Sequence, residues 1–401
     1  MSRIVYVWEL GAGYGHIASF HAIAKQLQLH GHEVIFVAKN LEHIDSLLGQ
    51  DQFQYLQAPV NWPTSLPTPA ALSYPGIMKN TGFTETGAML ARAKAWRSLY
   101  ELLSPDLLLF DHAPTALLAA RGLNIPKALF GSGFTVPPQT TPLPSLRPWL
   151  KVATGELMQT EIPVLNAANA VLHRLDTQPL DNLADLFQAD EHFLCTFAEL
   201  DPCPQRLNQR YWGPTLYISG GLEPRWPLVG NGKVFAYLHR DYPGMETLLQ
   251  QLHATHHAVL VHIAGITPAF IQKYSAANLH ISPHPFNMAA VCQQSDMAIS
   301  YGGAGTVAAF LLAGKPLLVL PDHLERLLNA HTAIAMGTGL FVAPETKKPN
   351  YRALVNELLS NPKYRLAAEA FANRHADFNP DRQAAEIADR CEKLIAEHGR
   401  N

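Results

Sequence analysis

Two strand–glycine–helix turns, one near each end of the chain, constrain the fold more than any other feature of the sequence. In the first, the apolar run 4–8 precedes a glycine-rich turn over 11–16; in the second, the run 297–299 precedes one over 300–306. Glycine allows positive φ and lets a ligand approach the backbone closely. A helix that begins directly after such a turn presents unpaired N–H groups to an anion. We therefore predict that the second turn binds a phosphate group.

Short apolar segments alternate with segments of helical periodicity in both halves of the chain. The predicted strands cover 4–8, 34–37, 107–110, 128–130, 234–238, 258–263, 279–282, 297–300 and 317–320, and the tail 351–397 is predicted to be helical with a break at Asn379-Pro380. Strands that are apolar throughout are typical of a parallel sheet covered by helices on both faces.

The length of 401 residues is sufficient for two such domains. We predict an α/β chain with two Rossmann-like domains. The first covers 1–214, a linker covers 215–232, the second covers 233–380, and a C-terminal helix over 381–401 packs back toward the first.

The composition argues against several classes of partner. The formal net charge is −3 and charged residues make up 16% of the chain, so no surface for nucleic acid is predicted. No apolar run approaches the ~20 residues of a transmembrane segment, and the N-terminus lacks a signal-peptide pattern. The four cysteines and the histidines within 253–262 lack the spacing of metal ligands. We expect a cytoplasmic protein with reduced thiols and no bound metal.

The first glycine turn differs from a dinucleotide-binding fingerprint. His16 stands where the G-x-G-x-x-G pattern has its last glycine, and the strand 34–37 continues into Ala38-Lys39-Asn40 without an acidic residue for a ribose. NAD is therefore not predicted. The turn instead places His16 at the carboxyl edge of a parallel sheet, where open α/β proteins bind ligands. A helix-capping role for this histidine is the alternative.

A carboxylate is predicted at the same edge. Asp111 follows the buried strand 107–110, and parallel strands bring their carboxyl ends together, so His16 and Asp111 can meet. A carboxylate on one imidazole nitrogen leaves the other to accept a hydroxyl proton. The neighbouring His112 is expected to point elsewhere.

Two proline-rich segments, 59–75 and 135–148, interrupt the first half and can form neither a helix interior nor a central strand. Aromatic residues accompany them at Trp62, Tyr74 and Trp149. Long irregular segments in compact domains are often functional. We interpret these segments as loops that line an apolar substrate pocket, with a surface excursion as the alternative.

Taken together, these motifs resemble those of GT-B glycosyltransferases, in the family of bacterial natural-product and plant UDP-glycosyltransferases. Residues 9–16 and 31–34 resemble the start of the family's acceptor domain, 105–111 its strand that ends in an aspartate, and 295–339 its donor-site signature. The resemblance covers nearly the whole chain. It implies two domains that face each other across a cleft.

The resemblance implies inverting, metal-independent transfer of a sugar from a nucleotide-diphosphate sugar such as a UDP-sugar to the hydroxyl of a small-molecule or lipid-like acceptor, without a resident cofactor. The family's catalytic histidine falls on His16 and its partner aspartate on Asp111. Donor-binding residues are predicted at Arg240, His284, Phe286, Tyr301, Gly302, Gly303, Ala304, Gly305, Thr306, Glu325 and Arg326. Acceptor-binding residues are predicted at Tyr14, Trp62, Tyr74, Phe134 and Trp149.

Three positions depart from the family pattern. Tyr301 stands where the family has a histidine on the diphosphate, and Ala309 stands where many members have a glutamate for the ribose. Arg326 replaces the glutamine that follows the acidic residue at Glu325. These changes leave a nucleotide-sugar epimerase of the same fold, or a non-catalytic sugar-nucleotide-binding homologue, open as alternatives.

The sequence offers candidates for two groups of the family pattern that this chain lacks, the base-stacking tryptophan and the positive charge at position 301. The base-stacking tryptophan of plant members is absent, and His284 or Phe286 is its predicted substitute. Arg240 is the predicted source of the positive charge lost at position 301, with a surface salt bridge as the alternative.

Overall fold

The computed structural model describes residues 1–13, 15–42, 44–61, 69–203, 206, 209–216 and 220–399. The chain forms two compact units. Unit 1 contains Met1–Thr215 together with Asn379–Asn401, and unit 2 contains Leu216–Phe378. Of the predicted linker 215–232, Thr215 therefore belongs to unit 1, and the described residues from 216 onward belong to unit 2.

Unit 1 is built on a parallel six-stranded sheet. Its strands are β1 (Arg3–Trp8), β2 (Glu33–Ala38), β3 (Gln54–Gln57), β4 (Leu107–Asp111), β5 (Lys127–Gly131) and β6 (Glu191–Leu194), in the order β3-β2-β1-β4-β5-β6. Its helices are α1 (Gly15–Leu29), α2 (Ile44–Leu48), α3 (Tyr74–Asn80), α4 (Thr86–Leu103), α5 (Pro114–Ala119) and α6 (Thr154–Arg174).

Unit 2 is built on a second parallel six-stranded sheet. Its strands are β7 (Lys233–Leu238), β8 (Ala258–Ile263), β9 (Leu279–Ser282), β10 (Met297–Ser300), β11 (Leu317–Val319) and β12 (Gly339–Phe341), in the order β12-β11-β10-β7-β8-β9. Its helices are α7 (Met245–His253), α8 (Pro268–Tyr274), α9 (Met288–Gln294), α10 (Ala304–Leu312), α11 (Leu324–Ala335), α12 (Tyr351–Ser360) and α13 (Pro362–Arg374). The predicted α/β class with two Rossmann-like sheets is confirmed.

The last helix, α14 (Pro380–His398), belongs to unit 1. Asn379 caps its N-terminus by accepting a hydrogen bond from the Arg382 N–H, and Pro380 occupies the first turn, where its missing N–H costs nothing. The buried side chains of Ile387 and Cys391 join the apolar cluster that α1 packs into. The helix thus packs against α1.

Alternate residues of β1 enter two different apolar clusters, because a strand points successive side chains to opposite faces. Val5 and Val7 join the cluster that contains Trp96 of α4, whereas Tyr6 and Trp8 join the cluster that contains Phe20 of α1. Both faces of the sheet are therefore buried. The same alternation aims Tyr6 toward the side of the sheet on which His16 lies.

All four cysteines are free and buried. Burial raises the pKa of these thiols, that of Cys203 to about 11, so they act as packing residues. None of the described helices is long and apolar enough to cross a membrane.

Candidate active site

His16 and Asp111 come together at the carboxyl edge of the unit 1 sheet. Asp111 ends β4 in register with Trp8, which ends β1, and the turn after β1 leads directly into α1. His16 Nδ1 lies 2.7 Å from Asp111 Oδ2, and the two side chains are 13% and 3% exposed. The carboxylate favours a proton on Nδ1, which makes Nε2 the basic nitrogen of the ring.

Tyr6 is a third member of this arrangement that the sequence analysis missed. Its hydroxyl lies 2.7 Å from Asp111 Oδ2 and 2.7 Å from the carbonyl oxygen of His16. Burial, and secondly the charge of Asp111, raise the pKa of Tyr6 well above its usual value, so the hydroxyl stays protonated and can donate. A tyrosine within the otherwise apolar run 4–8 is the signal that could have revealed it.

Removing the Tyr6 hydroxyl is expected to weaken the His16–Asp111 pair without breaking it. A hydrogen bond to a charged group contributes about 1.5–3 kcal/mol, so we expect Y6F to lower kcat roughly tenfold or more while the KM for the donor changes little. The matched control is Y100F, which deletes a buried hydroxyl bonded to the Ala116 carbonyl at 2.9 Å. Equal kcat values for Y6F and the wild type would contradict this role.

Gly11 lies against the basic nitrogen of His16. Its φ is +85°, and a Cβ at this position would sit 2.6 Å from His16 Nε2 and 3.3 Å from Cε1. The ring of Trp8 stacks on the imidazole with centroids 5.1 Å apart. Lys39 Nζ donates to the Gly11 carbonyl at 2.6 Å. Only glycine fits this close approach.

A buried carboxylate links the turn after β1 to the start of α5. Glu9 accepts hydrogen bonds from the N–H groups of Thr115 at 2.8 Å and Ala116 at 3.2 Å. Burial raises the pKa of Glu9, and these bonds oppose that rise. Glu9 therefore holds the turn that carries Gly11 next to the strand end that carries Asp111.

His112 lies beside the pair, and the expectation that it points elsewhere was wrong. Its left-handed φ of +47° turns the chain immediately after β4, so its ring centroid lies 6.2 Å from that of His16. The side chain is buried, and Nε2 has no hydrogen-bond partner among the described residues. Burial first, and then the nearby charges of His16 and Lys39, lower the pKa of His112 well below its usual value, so this histidine is neutral.

Tyr74 and Phe134, two of the predicted acceptor-binding residues, are buried next to His112, with ring centroids 5.5 and 5.7 Å from its ring. Both line a small apolar cavity, together with Pro137, Pro138, Leu143, Pro144 and Leu146. The proline-rich segment 135–148 therefore lines a small cavity whose aromatic residues contact His112.

The other predicted acceptor residues are placed differently. Trp149 is half-buried, and it does not line the cavity that Tyr74 and Phe134 share. Tyr14 and Trp62 lie outside the described residues.

The second glycine turn forms the start of α10 in unit 2. Gly302 has a φ of +89°, and a Cβ there would sit 2.8 Å from Val319 Cγ1. Asn329 Nδ2 donates to the Gly302 carbonyl at 2.9 Å from a buried position. Gly303 is the N-cap residue of α10 and provides no side-chain cap. The first-turn N–H groups of Ala304, Gly305 and Thr306 therefore have no capping side chain, as an anion-binding turn requires.

Two of the positions that depart from the family pattern contact each other at this turn. The guanidinium carbon of Arg326 lies 4.0 Å from the centre of the Tyr301 ring. Arg326 Nη1 also lies 2.6 and 2.8 Å from the two carboxylate oxygens of Asp322, which precedes α11 by two residues. Burial raises the pKa of Tyr301 above its usual range, so the ring carries no charge.

Phe286 is a core residue, and its prediction as a base-stacking group was wrong. Its backbone forms a bridge with Leu222, and its side chain, 6% exposed, meets the ring of Phe235 edge-on at 6.2 Å. His284 is exposed, and its N–H donates to Ser282 Oγ at 3.1 Å. Of the two predicted substitutes for the missing tryptophan, His284 is therefore the accessible one.

Arg240 and Glu325 occupy separate positions in unit 2. Arg240 follows β7, the strand next to β10, but its side chain is 60% exposed and lies 3.5 Å from Asp241. This geometry agrees with the surface salt bridge that was the alternative for Arg240. Glu325 is half-buried in the first turn of α11, one residue before Arg326.

Three of the four histidines within residues 253–262, namely His253, His257 and His262, have amide or carbonyl partners in the structure. His253 Nδ1 meets Asn278 Oδ1 at 3.1 Å, and His257 Nε2 meets Asn356 Oδ1 at 3.1 Å. Among the described residues, one group has ligand atoms close enough to share an ion, namely His30, Asp389 and Glu392. This group lies beside the C-terminal end of α1, whereas His16 lies at the N-terminal end of the same helix.

Comparison with solved structures identifies the class of protein that this architecture represents. The calicheamicin glycosyltransferase CalG4 matches with a TM-score of 0.73 at 17% identity, over 98% of each chain. The glycosyltransferase VinC, solved in complex with dTDP, matches with a TM-score of 0.69 at 13% identity, over 98% of this chain and 100% of its own. The chain has the GT-B fold.

Sequence relatives agree with this class. Residues 246–394 match the family model of the erythromycin biosynthesis protein CIII-like C-terminal domain. The PGL/p-HBAD biosynthesis glycosyltransferase of Mycobacterium tuberculosis (strain ATCC 25177 / H37Ra) is 23% identical over 94% of this chain and 89% of its own. The predicted resemblance is confirmed, and the chain is a glycosyltransferase. Neither the epimerase nor the non-catalytic homologue is favoured.

Proposed function

We propose that this glycosyltransferase moves a sugar from a nucleotide-diphosphate sugar to the hydroxyl of an apolar small-molecule acceptor, with inversion at the anomeric carbon and without a metal ion. The observation that carries the proposal is the 2.7 Å contact between His16 Nδ1 and Asp111 Oδ2 at the ligand-binding edge of the sheet. The similarity to glycosyltransferases supplies the reaction class.

His16 acts as the general base. Its Nε2 takes the proton of the acceptor hydroxyl while the hydroxyl oxygen attacks the anomeric carbon, and the bond from that carbon to the diphosphate oxygen breaks. Asp111 stabilises the imidazolium that forms, and Tyr6 orients Asp111. A single displacement of this kind inverts the anomeric configuration. The aromatic side chains of Tyr74 and Phe134 beside His112 favour an acceptor with an apolar body.

The glycine turn at the start of α10 holds the leaving diphosphate. The N–H groups of its first turn and the positive end of the helix dipole stabilise the negative charge that develops there. VinC, which shares the fold, was solved with dTDP, and this supports a nucleoside diphosphate as the ligand. Because one helix terminus contributes only about 0.3–2 kcal/mol, further donors must take part.

A thermal-shift screen of UDP-, dTDP- and GDP-sugars identifies the donor, since a ligand that binds the native state raises the Tm in proportion to RT ln(1 + [L]/Kd). Product analysis with the best donor and a panel of apolar alcohols and phenols then measures transfer and the anomeric configuration. Retained configuration would contradict the single displacement. Turnover of the donor sugar to an epimer without an acceptor would contradict the function itself.

Transfer is expected to be unchanged by chelation. The sequence contains no Asp-x-Asp pair, the arrangement that would hold a divalent ion on a sugar diphosphate. We expect the same kcat and KM in EDTA as in added Mg²⁺ or Mn²⁺, measured after the protein has been dialysed against chelator. A loss of activity in EDTA that either ion restores would overturn the metal-independent mechanism.

A further inference from the structure

We propose that Arg326 is the cation that binds the donor's diphosphate in this chain, and that Tyr301 and Asp322 hold its guanidinium in place for this purpose. The inference rests on the proposed function, because it assigns a residue to the diphosphate of the donor. Arg240, the cation predicted from the sequence, is mostly exposed and lies near Asp241.

The chemistry of the turn calls for a cation from outside it. A nucleoside diphosphate carries at least two negative charges, whereas the side chains of residues 300–306 are uncharged, and that of Tyr301 stays protonated. Backbone N–H groups supply partial charges only. A full positive charge next to these N–H groups would stabilise both the bound donor and the leaving group.

Arg326 lies directly beside the turn. Its carbonyl oxygen and its Cβ would lie 3.0 and 3.5 Å from a Cβ on Gly302. Its side chain then extends over the ring of Tyr301, the residue before Gly302, at 4.0 Å. The guanidinium is therefore held next to the residue that opens the phosphate-binding turn.

The guanidinium keeps donors for a ligand. Asp322 occupies Nη1 alone, at 2.6 and 2.8 Å, and Nη2 and Nε have no hydrogen-bond partner among the described residues. An arginine fork can bind two phosphate oxygens at once. The stack on Tyr301 restricts the side chain before the ligand arrives, which reduces the entropy lost on binding. Tyr301 and Asp322 thus act as positioning residues for Arg326.

The test compares binding of a nucleoside diphosphate and its monophosphate by isothermal titration calorimetry, with UDP and UMP or dTDP and dTMP according to the base that the wild type prefers. Loss of charge-assisted hydrogen bonds is expected to weaken diphosphate binding by R326Q about 10- to 100-fold. Monophosphate binding is expected to change much less. The matched control is R365Q, which breaks an i,i+4 ion pair with Glu369 at 3.2 Å on α13 of the same unit. It should bind both ligands like the wild type.

A double variant, Y301H/R326Q, tests whether position 301 faces the diphosphate. A histidine there can regain charge at low pH, so its diphosphate affinity should exceed that of R326Q at about pH 6 and approach it at about pH 8. Equal affinities of the two variants at both pH values would overturn the placement of the diphosphate beside residue 301.

The outcomes separate the inference from the proposed function. If the wild type binds no nucleoside diphosphate, the proposed function fails. If the wild type binds a nucleoside diphosphate and R326Q binds it equally well, Arg326 does not bind the diphosphate and only this inference fails. The same conclusion follows if R326Q loses monophosphate and diphosphate binding alike while its circular dichroism spectrum and Tm match those of the wild type.

Discussion

Transfer is expected to fall by about 10³-fold or more in H16A, while the affinity for nucleoside diphosphate stays that of the wild type. In the proposed mechanism His16 supplies the base, and general base catalysis typically contributes ~10²–10⁴-fold. The glycine turn proposed to bind the diphosphate belongs to unit 2 and is expected to keep its geometry. Single-turnover rates with saturating donor, together with calorimetric titration of the nucleotide, measure the two effects separately.

A second His–Asp pair on the same helix provides the control. His21 Nε2 lies 2.7 Å from Asp51 Oδ2, and its side chain is 16% exposed, close to the 13% of His16. H21Q removes a similar ion pair from α1 and should change stability while kcat stays near the wild-type value. Full transfer activity in H16A would reject the assigned base. An equal loss of kcat in H21Q would show that the effect comes from α1 rather than from the base.

G11A is expected to abolish transfer almost as completely as H16A, although residue 11 has no side chain that could react. A Cβ would lie 2.6 Å from His16 Nε2, inside van der Waals contact, so the imidazole must move off Asp111 or the turn must shift. Because a misplacement of about 1 Å can cost ~10²-fold in rate, and because the added methyl group also blocks the basic nitrogen, we expect a loss of at least that size in kcat.

A G13A variant separates the steric effect of the added Cβ on His16 from the backbone strain of an alanine at positive φ. Its φ of +84° matches the +85° of Gly11, but a Cβ at Gly13 would meet no heavy atom within 4 Å. G11A and G13A therefore carry the same left-handed penalty, roughly 1–2 kcal/mol, and should lower the Tm to a similar extent. Only G11A should lose transfer. Comparable kcat losses in both variants would mean that the turn's flexibility, rather than the space at Nε2, limits the reaction.

The candidate base and its carboxylate could be predicted because a parallel sheet makes one long-range relation certain. Once residues 4–8 and 107–110 are recognised as parallel strands of one sheet, their carboxyl ends must meet at one edge. Residues at those ends are then neighbours whatever lies between them in the sequence. The glycine turn before α10 was predictable for a similar reason, since its N–H groups follow from the local order of strand, glycine and helix.

Three of the four edge strands were not revealed by the sequence pattern, whereas the fourth, β9, was predicted. Residues 54–57, 191–194 and 339–341 form β3, β6 and β12, and each lies at an edge of its sheet. They have only three or four residues, and all are partly exposed. The continuous apolar run that marks a central strand is therefore missing. The pairing partner, rather than the local composition, makes these segments strands.

Local order along the chain was enough to determine the α/β class, the two glycine turns and the edge at which His16 and Asp111 lie, because strand and helix periods are local properties. Only the tertiary structure decided which side chains gather around them. Tyr6 reaches Asp111 through strand alternation, His112 turns back through a left-handed φ, Phe286 is buried by a bridge, and Arg326 stacks on Tyr301 across 25 positions of sequence. These contacts depend on how elements pack and on single backbone dihedral angles, and no periodic pattern in the sequence encodes either.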